Sequence, residues 1–172
     1  MQRPLGGGTA ATLAVGVGAQ SVAIDPASVY WANLTAPGIA EATSPSLSVV
    51  KVSVNGGPYA VLSQPQFPSY GIAVDATSVY FTTIFHPGAG VVRVPLGGGA
   101  AVTLAQSDRA GGLALDAASL YWTTSTAVMK VALEGGTPTT LASAQKSPYA
   151  IAVDGTSVYW TTSDAVLKVT PK

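Results

Sequence analysis

The chain has 172 residues, of which 48% are hydrophobic and only 9% charged, against about 25% charged residues in ordinary soluble domains. Eight basic and eight acidic side chains cancel, which argues against the clustered cationic surfaces that nucleic acids and anionic membranes require. Cysteine is absent, which excludes disulfides and thiolate chemistry, and no apolar run approaches the ~20 residues that cross a bilayer.

The N-terminal segment from Thr9 to Ala19 is apolar enough to resemble the core of a secretion signal. However, only the charge of Arg3 precedes it, and three glycines stand where such a core would begin. A matching pattern recurs deeper in the chain, from Gly97 to Ala105. We therefore expect a strand in this segment and no signal peptide in the chain.

One phrase occurs four times along the chain. The copies read VAIDPASVYWAN, IAVDATSVYFTT, LALDAASLYWTT and IAVDGTSVYWTT, and they begin at Val22, Ile72, Leu113 and Ile151. Their aspartates are Asp25, Asp75, Asp116 and Asp154, at spacings of 50, 41 and 38 residues. A period of about 40 residues is typical of propellers and solenoids.

Each repeat contains four strand signals, which we label a to d. The apolar triplet that opens the phrase predicts strand a, and the SVYWTT stretch, with its β-branched and aromatic residues, predicts strand b. Strand c is expected at Val49 to Val54, Val91 to Leu96, Val128 to Leu133 and Val166 to Thr170. Strand d follows a glycine turn and is expected at Ala10 to Leu13, Tyr59 to Leu62, Ala101 to Leu104 and Thr139 to Leu141. Small residues recur on and before strand a, which indicates an innermost strand with close backbone approach.

Four antiparallel strands in each of four repeats predict an all-β fold, a single β-propeller domain of four blades spanning residues 1–172. The repeats fall at about 14–62, 63–104, 105–141 and 142–172, with residues 8–13 as the missing strand d of the last blade. In this interpretation the N-terminal strand closes the ring. The alternative is a fragment of a larger, six-bladed propeller, or a ring that another copy completes.

The phrase IAVDxTSVYWTT, followed by a VxKVxLxGG strand, resembles the YWTD repeat of low-density-lipoprotein-receptor-like propellers and is closest to the bacterial versions. The resemblance covers essentially the whole chain and implies the fold rather than a function. It also implies a surface or secreted protein. Two departures stand out: the last position of the YWTD motif holds Asn33, Thr83, Thr124 or Thr162, and the family's rings usually have six blades.

The repeated residues favour structural roles. Asp25, Asp75, Asp116 and Asp154 are interpreted as turn formers that accept backbone N–H groups, the alternative being a metal or polar ligand. The glycine runs are interpreted as turns because strands follow them instead of the helix that a phosphate loop needs. The Tyr–Trp and Tyr–Phe pairs are expected to pack one ring on each neighbouring blade. We expect no catalytic residues, no metal and no cofactor.

Variation between the repeats is concentrated in the loops before strand a and after strand b, on one face of the propeller, which is where repeat proteins usually bind. The candidate ligand-binding residues on this face are Gln20, Gln66, Phe67, Tyr70, His86, Asp108, Arg109, Lys146 and Tyr149. Tyr70 and Tyr149 occupy equivalent positions just before strand a, so both are expected near the mouth of the central channel. His86 is the only histidine, and an exposed loop position is expected for it.

These features favour a non-enzymatic scaffold that binds a protein, peptide or glycan partner, outside the cell or at its surface. No nucleic acid and no membrane insertion are expected. One alternative is a propeller hydrolase or lyase of the lactonase type, with a channel metal. Another is a sensor module of a longer receptor. The chain is expected to be a monomer if the ring closes, and otherwise a homodimer or part of a longer chain.

Overall fold

A computed structural model describes residues 9–14, 19–33, 48–63, 70–83 and 89–172. Within these residues it contains fifteen strands in four antiparallel sheets and no helix. The fold is a β-propeller with one sheet for each repeat, so the predicted four blades are confirmed. Since the described residues contain no helix, none is long and apolar enough to cross a membrane.

The sheets are numbered as blades in chain order. Blade 1 contains β1 (Val22–Ile24), β2 (Ser28–Asn33), β3 (Ser48–Ser53) and β4 (Ala60–Ser63). Blade 2 contains β5 (Ile72–Val74), β6 (Ser78–Thr82), β7 (Gly90–Pro95) and β8 (Val102–Gln106). Blade 3 contains β9 (Leu113–Leu115), β10 (Ser119–Thr123), β11 (Val128–Ala132) and β12 (Thr139–Ala142). Blade 4 contains β13 (Ile151–Val153), β14 (Val158–Thr161) and β15 (Val166–Val169).

Within each blade the strands pair in sequence order, so the chain zigzags outward from the inner strand. The inner strands contact one another in succession: β1 meets β5, β5 meets β9, and β9 meets β13. The strand bounds agree with the predicted strands to within one or two residues. Between β3 and β4, β7 and β8, and β11 and β12 the register shifts by a bulge near the start of the third strand.

The core lies between the blades. Tyr80 packs with Leu113, Leu120 and Trp122 of blade 3, whereas its neighbour Phe81 packs with residues of blade 1 such as Val49. The two rings of the aromatic pair therefore face opposite sides, because successive residues of a strand point to opposite faces. In blades 2 and 3 this pair of positions packs on both neighbouring blades.

Blade 4 has three strands in the described part of the chain. Residues 9–14, which contain the predicted strand from Ala10 to Leu13, carry no strand assignment. Leu13 and Ala14 instead pack on blade 1, beside Trp31, Val50 and Val52. The pairing of this segment with the last blade therefore stays a prediction.

Candidate functional site

The zigzag of the strands gives the propeller two different faces. The turn face holds the aspartate turns, such as residues 75–78, and the glycine turns, such as residues 96–99. The loop face holds the connections that lead into the inner strands, among them residues 107–112 and 143–150. Because the strands are antiparallel, every blade contributes to both faces in the same order.

On the turn face each aspartate holds one turn together. One carboxylate oxygen of Asp75 accepts the backbone N–H groups of Thr77 and Ser78, at 2.7 and 2.8 Å. The other oxygen accepts the hydroxyl of Tyr80 at 2.8 Å. The same three bonds, all between 2.7 and 2.9 Å, are made in the other blades by Asp25, Asp116 and Asp154. This network joins strands a and b of each blade.

These bonds change the pKa values of both partners. The N–H groups of Thr156 and Ser157 and the hydroxyl of Tyr159 lower the pKa of Asp154 to about 2, with Thr156 making the largest contribution. Burial, together with the hydrogen bond to Asp75, raises the pKa of Tyr80 to about 12. The low pKa keeps the Asp154 carboxylate ionised and the high pKa keeps the Tyr80 phenol protonated at neutral pH, which are the states that their hydrogen bonds require.

The loop face contains a cavity of about 590 Å³ between blades 2, 3 and 4. Three of the predicted binding residues line it: Tyr70, Arg109 and Tyr149. The tyrosines are 55% and 66% exposed. Hydroxyl groups of Thr124, Ser125 and Ser147 also lie in the described lining, which contains no carboxylate.

Repeat 3 has a glycine in this cavity where repeats 2 and 4 have a tyrosine. Tyr70, Gly111 and Tyr149 each stand two residues before an inner strand. A Cβ on Gly111 would lie 2.7 Å from Oγ1 of Thr123, so a side chain there would require this hydroxyl to shift. Tyr70 and Tyr149 therefore lie on either side of Gly111, which has no side chain. The residues directly before two inner strands, Gly112 and Ala150, also line the cavity.

The backbone at the cavity is fixed by positive φ angles and by threonine hydroxyls. Arg109 and Ser147 occupy equivalent positions four residues before an inner strand, and both have a φ of 48°. This left-handed conformation is uncommon for residues other than glycine. Oγ1 of Thr123 accepts the N–H of Gly112 at 3.0 Å and donates to the carbonyl of Tyr149 at 3.0 Å, which ties blade 3 to the loop of blade 4.

The remaining predicted binding residues lie elsewhere or outside the described residues. Asp108 accepts a 3.4 Å hydrogen bond from Ser125, and Lys146 forms a 3.4 Å ion pair with Asp164 in which both side chains are exposed. Gln20 lines a separate cavity of about 520 Å³ on blade 1, together with Trp31 and Leu13. Gln66, Phe67 and His86 lie outside the described residues.

The sequence interpretation missed two sets of polar contacts. It assigned the aromatic pairs to packing alone, yet each tyrosine hydroxyl donates to the aspartate five residues before it. Nε1 of Trp122 donates to Ser107, and Nε1 of Trp160 donates to Gln145, at 3.1 and 3.0 Å. The constant Asp–Tyr spacing in all four copies was a signal for the first set. The second set had no such signal, because its acceptors differ.

Among the described residues, no group of three or more His, Cys, Asp or Glu side chains is placed to hold a metal ion. The turn-face carboxylates are separated by whole blades and each is engaged by its own turn.

Comparison with known proteins supports the fold alone. No protein-family model and no curated protein matches the sequence. A chain of the crystal structure of the nidogen/laminin complex superposes with a TM-score of 0.70 at 19% identity, covering 87% of this chain and 58% of that chain. The computationally designed Ika4 protein superposes with a TM-score of 0.74 at 11% identity, covering 95% of this chain and 100% of that chain.

A putative TolB from Agrobacterium tumefaciens gives a TM-score of 0.63 at 13% identity, with 84% of this chain and 57% of that chain covered. The chain thus spans under three fifths of the nidogen/laminin and TolB chains and the full length of Ika4. Nidogen and TolB are β-propeller proteins, in agreement with the four sheets described above.

Proposed function

We propose that this chain is a non-enzymatic β-propeller scaffold of the YWTD type that binds a protein, peptide or glycan partner through its loop face. We further propose that it belongs to a bacterial surface or secreted protein. The observation that supports binding is the cavity on the loop face, where three blades bring together Tyr70, Arg109 and Tyr149.

The chemistry of this cavity suits recognition. Exposed tyrosine rings offer large, rigid surfaces for stacking on a sugar ring or an apolar side chain, at low cost in conformational entropy. The guanidinium of Arg109 adds a planar, positively charged group to the lining. The left-handed backbone at Arg109 and Ser147 is the kind of local strain that is found at binding sites.

The same lining argues against hydrolysis. A lactonase-type site needs several carboxylate and amide ligands converging on a metal, and the described lining residues offer hydroxyls, tyrosines and one arginine. Binding without chemistry is the function that these groups support.

The experiment is a binding screen with a panel of immobilised oligosaccharides and a displayed random-peptide library. For the best probe, Tyr70→Ala and Tyr149→Ala are each expected to weaken binding about 10-fold or more, which corresponds to about 1.4 kcal/mol. Arg109→Asn is expected to do the same, and asparagine is chosen because it tolerates the left-handed backbone. Val102→Ala, an exposed apolar site on an outer strand, is the matched control and should bind like the unmodified chain.

The proposal fails if the unmodified protein binds no probe, or if all three cavity variants bind as tightly as the control.

A further inference from the structure

The two ends of the blade array expose apolar side chains whose equivalents in the other blades are buried or partly buried. On blade 1, Val22 is 68% exposed, whereas its equivalents Ile72 and Leu113 are 7% and 9% exposed. Ile24 is 67% exposed, whereas its equivalents Val74, Leu115 and Val153 are partly buried. On blade 4, Val166 is 76% exposed, whereas its equivalents Val49, Val91 and Val128 are fully buried. In blades 1 to 3 these are the positions that pack one blade on the next.

The two exposed surfaces are therefore complementary to each other. At each contact between two successive blades, the residue equivalent to Val166 packs beside the residue equivalent to Val22 in the next blade. These pairs are Val49 with Ile72, Val91 with Leu113, and Val128 with Ile151. The outer edge of β15 is likewise without a fourth strand in the described part of the chain. An unpaired edge of this kind is a template for pairing with another chain.

The segment that fits this edge lies at the other end of the array. Leu62 and Leu104 each place their carbonyl oxygen over a glycine turn of the next blade, 3.8 and 3.4 Å from where a Cβ of Gly98 and Gly135 would lie. The carbonyl oxygen of Leu13 lies over Gly56 in the same way, at 3.8 Å. Residues 9–14 thus sit on blade 1 where the outer strand of a preceding blade would sit.

We propose that two copies of this chain join head to tail into a closed ring, in which residues 11–14 of each copy form the fourth strand of blade 4 of the other copy. This inference goes beyond the proposed binding function and does not depend on it. A head-to-tail contact gives a closed ring when the rotation that relates one copy to the next returns to the first copy. Two copies of four blades give eight blades, within the range of about 4–8 that propellers adopt.

Two polar contacts between successive blades predict an equivalent contact between the two copies. Nζ of Lys51 donates to the carbonyl of Leu96, and Nη1 of Arg93 donates to the carbonyl of Leu133, at 2.6 and 3.4 Å. Lys168 is the equivalent cation of blade 4, and Val54 is the equivalent acceptor on blade 1. Lys168 of one copy is therefore assigned to the carbonyl of Val54 of the second copy.

The threonine link repeats as well. Oγ1 of Thr82 donates to the carbonyl of Gly111 at 2.9 Å, just as Thr123 donates to that of Tyr149. Thr161 is the equivalent donor on blade 4, and Gln20 holds the equivalent carbonyl on blade 1. This assigns a hydrogen bond between Thr161 of one copy and Gln20 of the second copy.

The register of the new strand pair follows from the complete blades. Lys130 pairs with Thr139, Met129 with Thr140, and Val128 with Ala142 across a bulge. The equivalent pairs between copies are Lys168 with Ala11, Leu167 with Thr12, and Val166 with Ala14. Paired residues of antiparallel strands have Cα atoms about 4.5–5.5 Å apart, which is within the range that a disulfide spans.

The test uses this register, and the chain has no cysteine of its own to interfere. We mix Thr12→Cys and Leu167→Cys single variants under mild oxidation and run a non-reducing gel. The expected result is a disulfide-linked species containing one chain of each variant, while either variant alone stays uncrosslinked. The Thr12→Cys/Leu167→Cys double variant should likewise link chains to one another.

The mass in solution is the second readout. The unmodified chain is expected to have twice 17.2 kDa by sedimentation velocity. Ile24→Asp and Val166→Asp should each halve that mass, because a charge would be buried in the interface. Both sites are exposed in the single chain, so these variants should still fold. Val102→Asp is the matched control on a complete blade and should keep the doubled mass.

Two results would overturn the proposal. A mass of 17.2 kDa with an intrachain disulfide in the double variant would show that the chain closes on itself. The same mass without any crosslink would show that a second copy does not cover these surfaces.

Discussion

On the turn face, all four blades repeat one aspartate–tyrosine network, whereas on the loop face the equivalent positions before the inner strands hold Gln20, Tyr70, Gly111 and Tyr149. The aspartate and tyrosine of each network bond to each other and to their own turn, and Asp116 also pairs with Lys172 beyond blade 4, at 2.6 Å. Tyr70 and Tyr149 instead project into solvent beside a cavity. This difference indicates that the repeated aspartate–tyrosine networks stabilise the scaffold. It also indicates that the variable residues before the inner strands can contact a ligand.

The largest effect should come from removing one turn aspartate. Asp75→Ala deletes the acceptor for two backbone N–H groups and leaves the hydroxyl of the buried Tyr80 without its partner. Loss of a partner from a buried donor costs about 1–3 kcal/mol, so we expect the free energy of unfolding to fall by about 3 kcal/mol. Urea denaturation measures it.

Asp108→Ala is the control on the loop face, where the carboxylate accepts an exposed hydrogen bond from Ser125 at 3.4 Å. Its unfolding free energy should stay within about 0.5 kcal/mol of the unmodified chain. Equal losses of unfolding free energy in Asp75→Ala and Asp108→Ala would contradict the proposal that the turn face, and not the loop face, stabilises the fold.

A second pair of substitutions tests whether the close packing beneath the loop face contributes to stability. A Cβ on Gly112 would lie 2.3 Å from the carbonyl oxygen of Tyr149, so Gly112→Ala should destabilise the protein by about 1–3 kcal/mol. Gly155 is in the aspartate turn of blade 4 and has no atom within 4 Å of its Cβ position. Gly155→Ala should therefore leave stability unchanged or raise it by up to about 1 kcal/mol. Thermal unfolding of both variants decides the point, and a stable Gly112→Ala protein would contradict the close approach of the inner strands.

The smallest effect concerns acid. The pKa of Asp154 is about 2 in the folded protein, below the ordinary value of about 3.9, so its ionisation stabilises the fold above about pH 4. That contribution is lost as the pH falls from about 4 to about 2. We expect Asp154→Asn to reduce the pH dependence of the unfolding free energy in this window, as followed by urea titrations. An unchanged acid profile would mean that the turn does not favour the ionised carboxylate.

Much of the fold follows from the sequence because its repeats mark the same positions four times. The phrase that begins at Ile72 predicts strands β5 and β6, and the glycines after Leu96 predict the turn between β7 and β8. Small residues such as Gly71 and Gly112 indicated close approach, and their Cβ positions would indeed collide with neighbouring atoms.

The candidate site follows less completely, because it depends on contacts between repeats. Tyr70 and Tyr149 were identified as equivalent from their spacing, but the cavity that they share is also lined by Gly111, Thr124 and Ser125 of the repeat between them. No pattern within one repeat shows such a contact. Asp108 and Lys146 also lie in the variable loops, but neither lines the cavity. Sequence variability shows which face carries the loops and does not show which loop residues line a pocket.

The most direct test of the central claim measures stability and binding on one protein, the triple variant Tyr70→Ala/Arg109→Asn/Tyr149→Ala. If the loop face binds and the repeats hold the fold, its unfolding free energy should stay within about 1 kcal/mol of the unmodified chain. Its binding to the best probe of the screen should be lost. A variant that unfolds, or one that binds unchanged, would contradict the assignment of stability to one face and recognition to the other.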